Sequence, residues 1–157
     1  MNIFVVDPDP VVCARYLDDK RVVKMVLETC QMLSTAVTER GGGGWYKPTH
    51  KNHPCSIWVR EGVQNYAWSL DLFESLCHEY SRRYNKVHKC MDYLHIARDS
   101  LFYMPDAEAP RTPWADCSCV EPEFSPGDIF ARYRECLSRK WAQDKRIPTW
   151  FGSTEMP

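Results

Sequence analysis

Two lysines, a glutamate, a glutamine and a threonine are spaced so that a helix would set them side by side. At 100° per residue, Lys20, Lys24, Glu28, Gln31 and Thr35 fall within an arc of about 80°. Val22, Val23, Val26, Leu27, Cys30, Leu33 and Val37 occupy one flank, and Met25, Met32 and Ala36 the other. The pattern predicts a helix covered on most sides, with one polar seam left open. A carboxylate between two ammonium groups can act as acid, base or charge stabiliser, and an adjacent lysine can act as nucleophile or phosphate ligand. Ordinary Lys–Glu pairs on a solvated helix face have the same spacing, so the rest of the chain must decide between the two.

A second group lies in Trp45–His53. There Trp45, Lys47, His50, Lys51, Asn52 and His53 interleave cations, hydrogen-bonding side chains and an indole. Further cations gather at Arg82, Arg83, Lys86 and Lys89, and at Arg139, Lys140, Lys145 and Arg146 ahead of Trp150. Cations neutralise phosphates, and aromatic faces receive an unstacked base. Asn65, on the helix that follows the loop, is a further hydrogen-bonding candidate. Net charge is −1, which argues against a protein that coats nucleic acid over its whole surface. The charge is uneven, however. Residues 104–128 hold six acids against Arg111, so the remainder carries an excess of basic residues, as a one-sided nucleic-acid face requires.

Other chemistries fit less well. No Cys-x-x-Cys or His-Glu-x-x-His is present, and neither the His50/His53/Cys55 spacing nor Cys117-x-Cys119 matches a zinc motif, so no metal or other cofactor is expected. The run Gly41–Gly44 lacks the Lys-Ser/Thr of a phosphate-binding loop and reads as a flexible turn. The eight cysteines are expected to be reduced, with Cys30, Cys77 and Cys136 on apolar helix faces. No apolar run reaches membrane-spanning length, and Met-Asn-Ile-Phe-Val-Val-Asp is not a secretory leader. These features imply a cytoplasmic protein with no membrane partner.

The elements that would position these groups are helical. Ile3–Val6 is an extended arm or short strand, stopped by Asp-Pro-Asp-Pro. A first helix is expected from about Pro10 to Glu39, with a break near Asp18-Asp19. A second runs from Pro54 through seven amphipathic turns, and a third from Val87 to about Tyr103. Residues 104–126 carry five prolines and no periodicity. Ser125-Pro126-Gly127-Asp128 then caps a fourth helix. The expectation is a single all-α domain over 1–157, a compact bundle of about four helices with an extended N-terminal arm and a long Pro-rich loop.

Leu17-Asp18-Asp19-Lys20-Arg21-Val22-Val23-Lys24-Met25-Val26-Leu27-Glu28 resembles the first helix of the phage pyrimidine-dimer DNA glycosylases of the endonuclease V type. Ile147-Pro148-Thr149-Trp150-Phe151 is similar to that family's C-terminal segment. The resemblance implies an all-helical fold, duplex DNA as partner with a base turned out of the stack, and Glu28 as the acidic residue that stabilises reaction at the sugar. One departure matters. That family attacks the sugar with the α-amine of a small residue exposed by loss of the initiator Met. Here residue 2 is Asn, behind which Met is retained, so the amine belongs to Met1 or is replaced by Lys20 or Lys24. The whole chain also resembles a group of phage proteins that share Asp-Lys-x-Val-Val-Lys-Met-x-x-Glu (Asp19–Glu28), His-Lys-Asn-His-Pro (His50–Pro54) and Lys-Arg-x-Ile-Pro-x-Trp-Phe (Lys145–Phe151), which places the protein in the cytoplasm of a bacterial host.

Three readings follow. The first is a DNA glycosylase/lyase-like enzyme, with Glu28, Lys20, Lys24 and His53 catalytic. Gln31, Trp45, Lys47, His50, Lys51, Asn52, Asn65, Arg83, Lys145, Arg146 and Trp150 would bind its substrate. The second is a transferase that displaces pyrophosphate from an activated pyrimidine in DNA, with the cations holding the leaving group. The third is a non-catalytic factor that binds DNA or a host protein.

Overall fold

The computed structural model describes residues 1–105, 107–121 and 128–157. The described residues are all-helical and compact, with six α-helices: α1 (Pro10–Tyr16), α2 (Asp19–Glu39), α3 (Pro54–Val59), α4 (Val63–Tyr84), α5 (Leu94–Asp99) and α6 (Ile129–Gln143). Two 3-10 turns, Lys89–Tyr93 and Ser100–Tyr103, flank α5. None of these helices is long and apolar enough to cross a membrane. The count exceeds the expected four because two of the expected helices are interrupted. Part of the Pro-rich loop and the Ser125–Gly127 portion of the expected cap lie outside the described residues. Asp128 is the N-cap of α6, and its carboxylate accepts from Ala131 N–H.

The first interruption falls at Asp18, as the Asp-Asp pair suggests. Asp18 is extended and buried, and its carboxylate accepts from Arg21 (3.0 Å) and from the Trp141 indole (2.8 Å), which ties α6 to the start of α2. The second interruption, at residues 60–62, is hidden from periodicity because the apolar face continues through it. A side chain makes it: the Asn65 amide donates to the Trp58 carbonyl (2.8 Å), taking up an acceptor at the end of α3.

The core forms where α2 packs on α4, with α1 on α4 and α3 on α2. Val22, Val26, Cys30, Leu33 and Val37 of α2 are fully buried with Tyr66, Phe73 and Leu76 of α4. The N-terminal segment is not a strand. Asn2 Oδ1 accepts the N–H groups of both Ile3 and Phe4, Phe4 takes a left-handed backbone at φ 42°, and Ile3–Val6 thread through the core. Helix α6 closes over this arm: Phe4 meets Tyr133 edge-on, and Arg134 donates to the Val6 carbonyl (2.6 Å).

The glycine run is more constrained than a flexible turn. Gly41, at φ +85°, reverses the chain after α2. A Cβ on Gly44 would meet the Ser34 carbonyl oxygen at 2.9 Å. That close approach lets Ser34 Oγ accept from both Trp45 N–H and Tyr46 N–H.

Candidate active site

The polar stripe of α2 runs from solvent into the protein. Lys20 and Lys24 are exposed, Glu28 and Gln31 are half-buried, and Thr35 is buried. Its inner end is roofed by residues 45–53, because Thr35 Oγ1 accepts from Thr49 N–H (3.2 Å) as Ser34 does from Trp45 and Tyr46. His50 takes a left-handed backbone at φ 47°. The turn it forms, closed by His53 N–H to the His50 carbonyl (2.9 Å), delivers His53 as N-cap of α3.

The centre of the site is Glu28. Its Oε2 lies 3.6 Å from the Met1 α-amine and its Oε1 lies 3.3 Å from Lys24 Nζ. The Met1 side chain is 2% exposed although the residue as a whole is half-buried. The thioether is therefore an anchor, and the main chain with its amine is what faces outward. Asn2, clamped by its own backbone bonds and by donation to the Cys117 carbonyl (3.1 Å), fixes the direction of that amine. His53 completes the group. Burial, followed by the positive N-terminus and His50, lowers its pKa against the opposing pull of Glu28, so its imidazole is neutral near pH 7.

Two depressions open on either side of Met1. One, of about 200 Å³, is lined by Met1, Lys20, Lys24, Glu28 and Lys140. The other, of about 670 Å³, includes Met1, His53, Asp116, Cys117, Arg139 and Lys140. Asp116, Cys117, Arg139 and Lys140 are not among the residues expected at the site. The basic face of α6 is visible in the sequence, but nothing local in it says that this face turns toward Met1. An unexpected grouping borders the second depression, with Cys55 buried behind it. His53, Cys55 and Cys117 bring one potential ligand atom each within 4.8 Å of one another. Interaction between the two thiols lowers Cys117 to about 7 and raises Cys55, which burial raises further.

Several expected binding residues are engaged elsewhere. Asn65 is fully buried, bonding Trp58 and Thr112. Arg83 is sequestered with Glu79, Asp19 and the carbonyls of Leu17 and Arg15. Trp150 is buried against Trp141, with its indole donating to the Tyr16 carbonyl. Trp45 stacks on Tyr93 and donates to Cys30 Sγ. Lys47, His50, Lys51, Asn52, Lys145 and Arg146 are exposed. Lys20 pairs with Asp144 at 2.9 Å, not with Lys24 or Glu28.

The first 92 residues match the family described as pyrimidine dimer DNA glycosylase, and the chain belongs to that family. The match takes in the arm and helices α1 to α4, hence Met1, Lys20, Lys24, Glu28 and His53, and leaves out α6 and the C-terminal segment. No curated protein and no solved structure matches the chain.

Proposed function

We propose that the protein is a glycosylase/lyase-like enzyme acting on a pyrimidine nucleotide of duplex DNA, with the Met1 amine as nucleophile and Glu28 as its acid–base partner. The observation that carries this reading is the Met1 amine 3.6 Å from a half-buried carboxylate, where a depression of about 200 Å³ meets one of about 670 Å³. Glu28 takes a proton from the ammonium, and the freed amine attacks the sugar C1′. The C1′–N bond breaks, its electron pair leaves with the base, and the base then takes up a proton. Having passed that proton on to the departing base, the carboxylate faces the positive charge that develops at the sugar. The amine–C1′ bond becomes an imine on ring opening, which permits elimination of the 3′ phosphate. Neutral His53, which lines the larger depression with Met1, supplies the proton relay. Lys20, Lys24 and Lys140 meet phosphates, and exposed Lys47, His50, Lys51 and Asn52 steer the backbone. A target base inside a duplex must be turned out of the stack to reach such a site.

Borohydride trapping on ultraviolet-irradiated duplex tests this directly. The expected result is a strand break and a protein–DNA adduct whose peptide map places the linkage on the residue-1 amine. An adduct on Lys24 reassigns the nucleophile. No break and no adduct sinks the reading.

The cations crowded over Glu28 favour one second reading. Lys20, Arg21, Lys24 and Lys140 all border the smaller depression, an arrangement suited to pyrophosphate leaving an activated base, with Glu28 as general base. It predicts no cleavage of irradiated DNA, and pyrophosphate release only from DNA that carries a pyrophosphorylated pyrimidine.

A further inference from the structure

We propose that His53, Cys55 and Cys117 form a binding site for a zinc ion, with the fourth coordination position facing the cleft that also exposes Met1. The three come from two segments far apart in sequence, the start of α3 and the loop ahead of α6, and their ligand atoms lie within 4.8 Å of one another. Tetrahedral zinc with bonds of about 2.0–2.3 Å needs ligand separations of about 3.3–3.8 Å, so closure requires shifts of about an ångström. One imidazole and two thiols are the soft, borderline set that selects zinc over magnesium or calcium. Three protein ligands leave one position open. That opening is directional here, because Cys55 is fully buried while His53 and Cys117 are half-exposed and line the cleft.

The surroundings are built to hold the ligands. Tyr133, fully buried, accepts from Cys117 N–H (3.0 Å) and donates to the Ala115 carbonyl (2.7 Å). Asp116 accepts from Ser118 N–H and from its hydroxyl, and pairs with Arg132 at 2.9 Å. His53 Nδ1 caps α3 by accepting from Cys55 N–H at 3.2 Å; coordination through Nδ1 exchanges that bond for the metal and leaves Nε2–H as a donor. Binding releases the two thiol protons and retains both sulfurs as thiolates. Because Asn2 donates to the Cys117 carbonyl (3.1 Å), the metal would also tie down the arm that presents Met1. The site does not depend on the glycosylase reading.

The test uses the reduced, chelator-stripped full chain without DNA. Cobalt(II) is expected to give a thiolate charge-transfer band that saturates at one equivalent and is displaced by zinc. Cys117→Ser should lose that band and weaken zinc binding by at least about 100-fold, more than loss of an outer partner costs. Cys119→Ser, in the same loop but exposed, should keep it. Cys117 is only half-buried, so its variant tests the site even if Cys55→Ser does not fold. Absence of the band in the wild type, its persistence in Cys117→Ser, or its loss in Cys119→Ser alone overturns the proposal.

Discussion

Asp19 and Glu28 of helix α2 look alike in the sequence and do opposite things in the structure. Asp19 is saturated: Thr149 Oγ1 at 2.7 Å, Arg83 at 2.9 Å, and the N–H groups of Phe151 (2.9 Å) and Gly152 (3.0 Å) all donate to it. Burial alone would raise its pKa, but these donors outweigh burial and hold it below the usual carboxylate range. Glu28, nine residues along the same helix, meets two ammonium groups at 3.3 and 3.6 Å. One of those groups is a terminal amine and the other an exposed lysine. A carboxylate locked by short hydrogen bonds has nothing to offer a substrate. One held at longer range between a terminal amine and an exposed lysine can exchange a proton or meet a new positive charge. By this criterion the Asp19 end is architecture, and the Glu28 end is where the proposed chemistry falls.

The contrast predicts where stability resides. Arg83→Ala removes the buried guanidinium that joins Glu79 to Asp19, leaving Glu79 with Arg82 alone and Asp19 with Thr149 and two backbone donors, and should cost about 2–4 kcal/mol, read from chemical denaturation. A loss under about 1 kcal/mol would place Arg83 among the binding residues after all. Acid should act through the same network. Asp19 and Glu79 are both lowered by donors that outweigh burial. Below about pH 4.5 the unfolded chain therefore binds protons that the folded chain resists. The stability they contribute is fully present above their unfolded pKa values and is lost as pH falls through the lowered folded ones. Denaturation midpoints from about pH 6 down to about pH 3 should fall steeply in the wild type and less steeply in Arg83→Ala. The smallest effect is expected at Lys20. Its side chain is 67% exposed and pairs with Asp144, so Lys20→Ala should change stability by no more than about 1 kcal/mol while weakening DNA binding and reducing its salt dependence.

Much of this was legible in the sequence, for identifiable reasons. The polar stripe of α2 follows from helical period alone, and the break at Asp18 from two adjacent aspartates. The interruption at residues 60–62 was not legible, because the Asn65 amide takes the Trp58 carbonyl without disturbing the apolar pattern. Residue type also misdirects. Arg83, Trp150, Asn65 and Trp45 are the kinds of side chain that bind nucleic acid, yet each is bonded within the protein. A guanidinium serves a buried carboxylate as well as it serves a phosphate, and only the fold tells which one it meets. The opposite failure concerns Cys117. Its partners His53 and Cys55 lie on another segment, so no spacing rule brings the three together.

Glu28→Gln, measured for both stability and strand cleavage, tests the central distinction most directly. The substitution keeps the shape and removes the charge and the base. The account predicts stability within about 1 kcal/mol of wild type, as for a weakly engaged pair, with cleavage of irradiated duplex reduced by about 10²–10⁴-fold. Cleavage at the wild-type rate, or unfolding on the scale expected for Arg83→Ala, would contradict it.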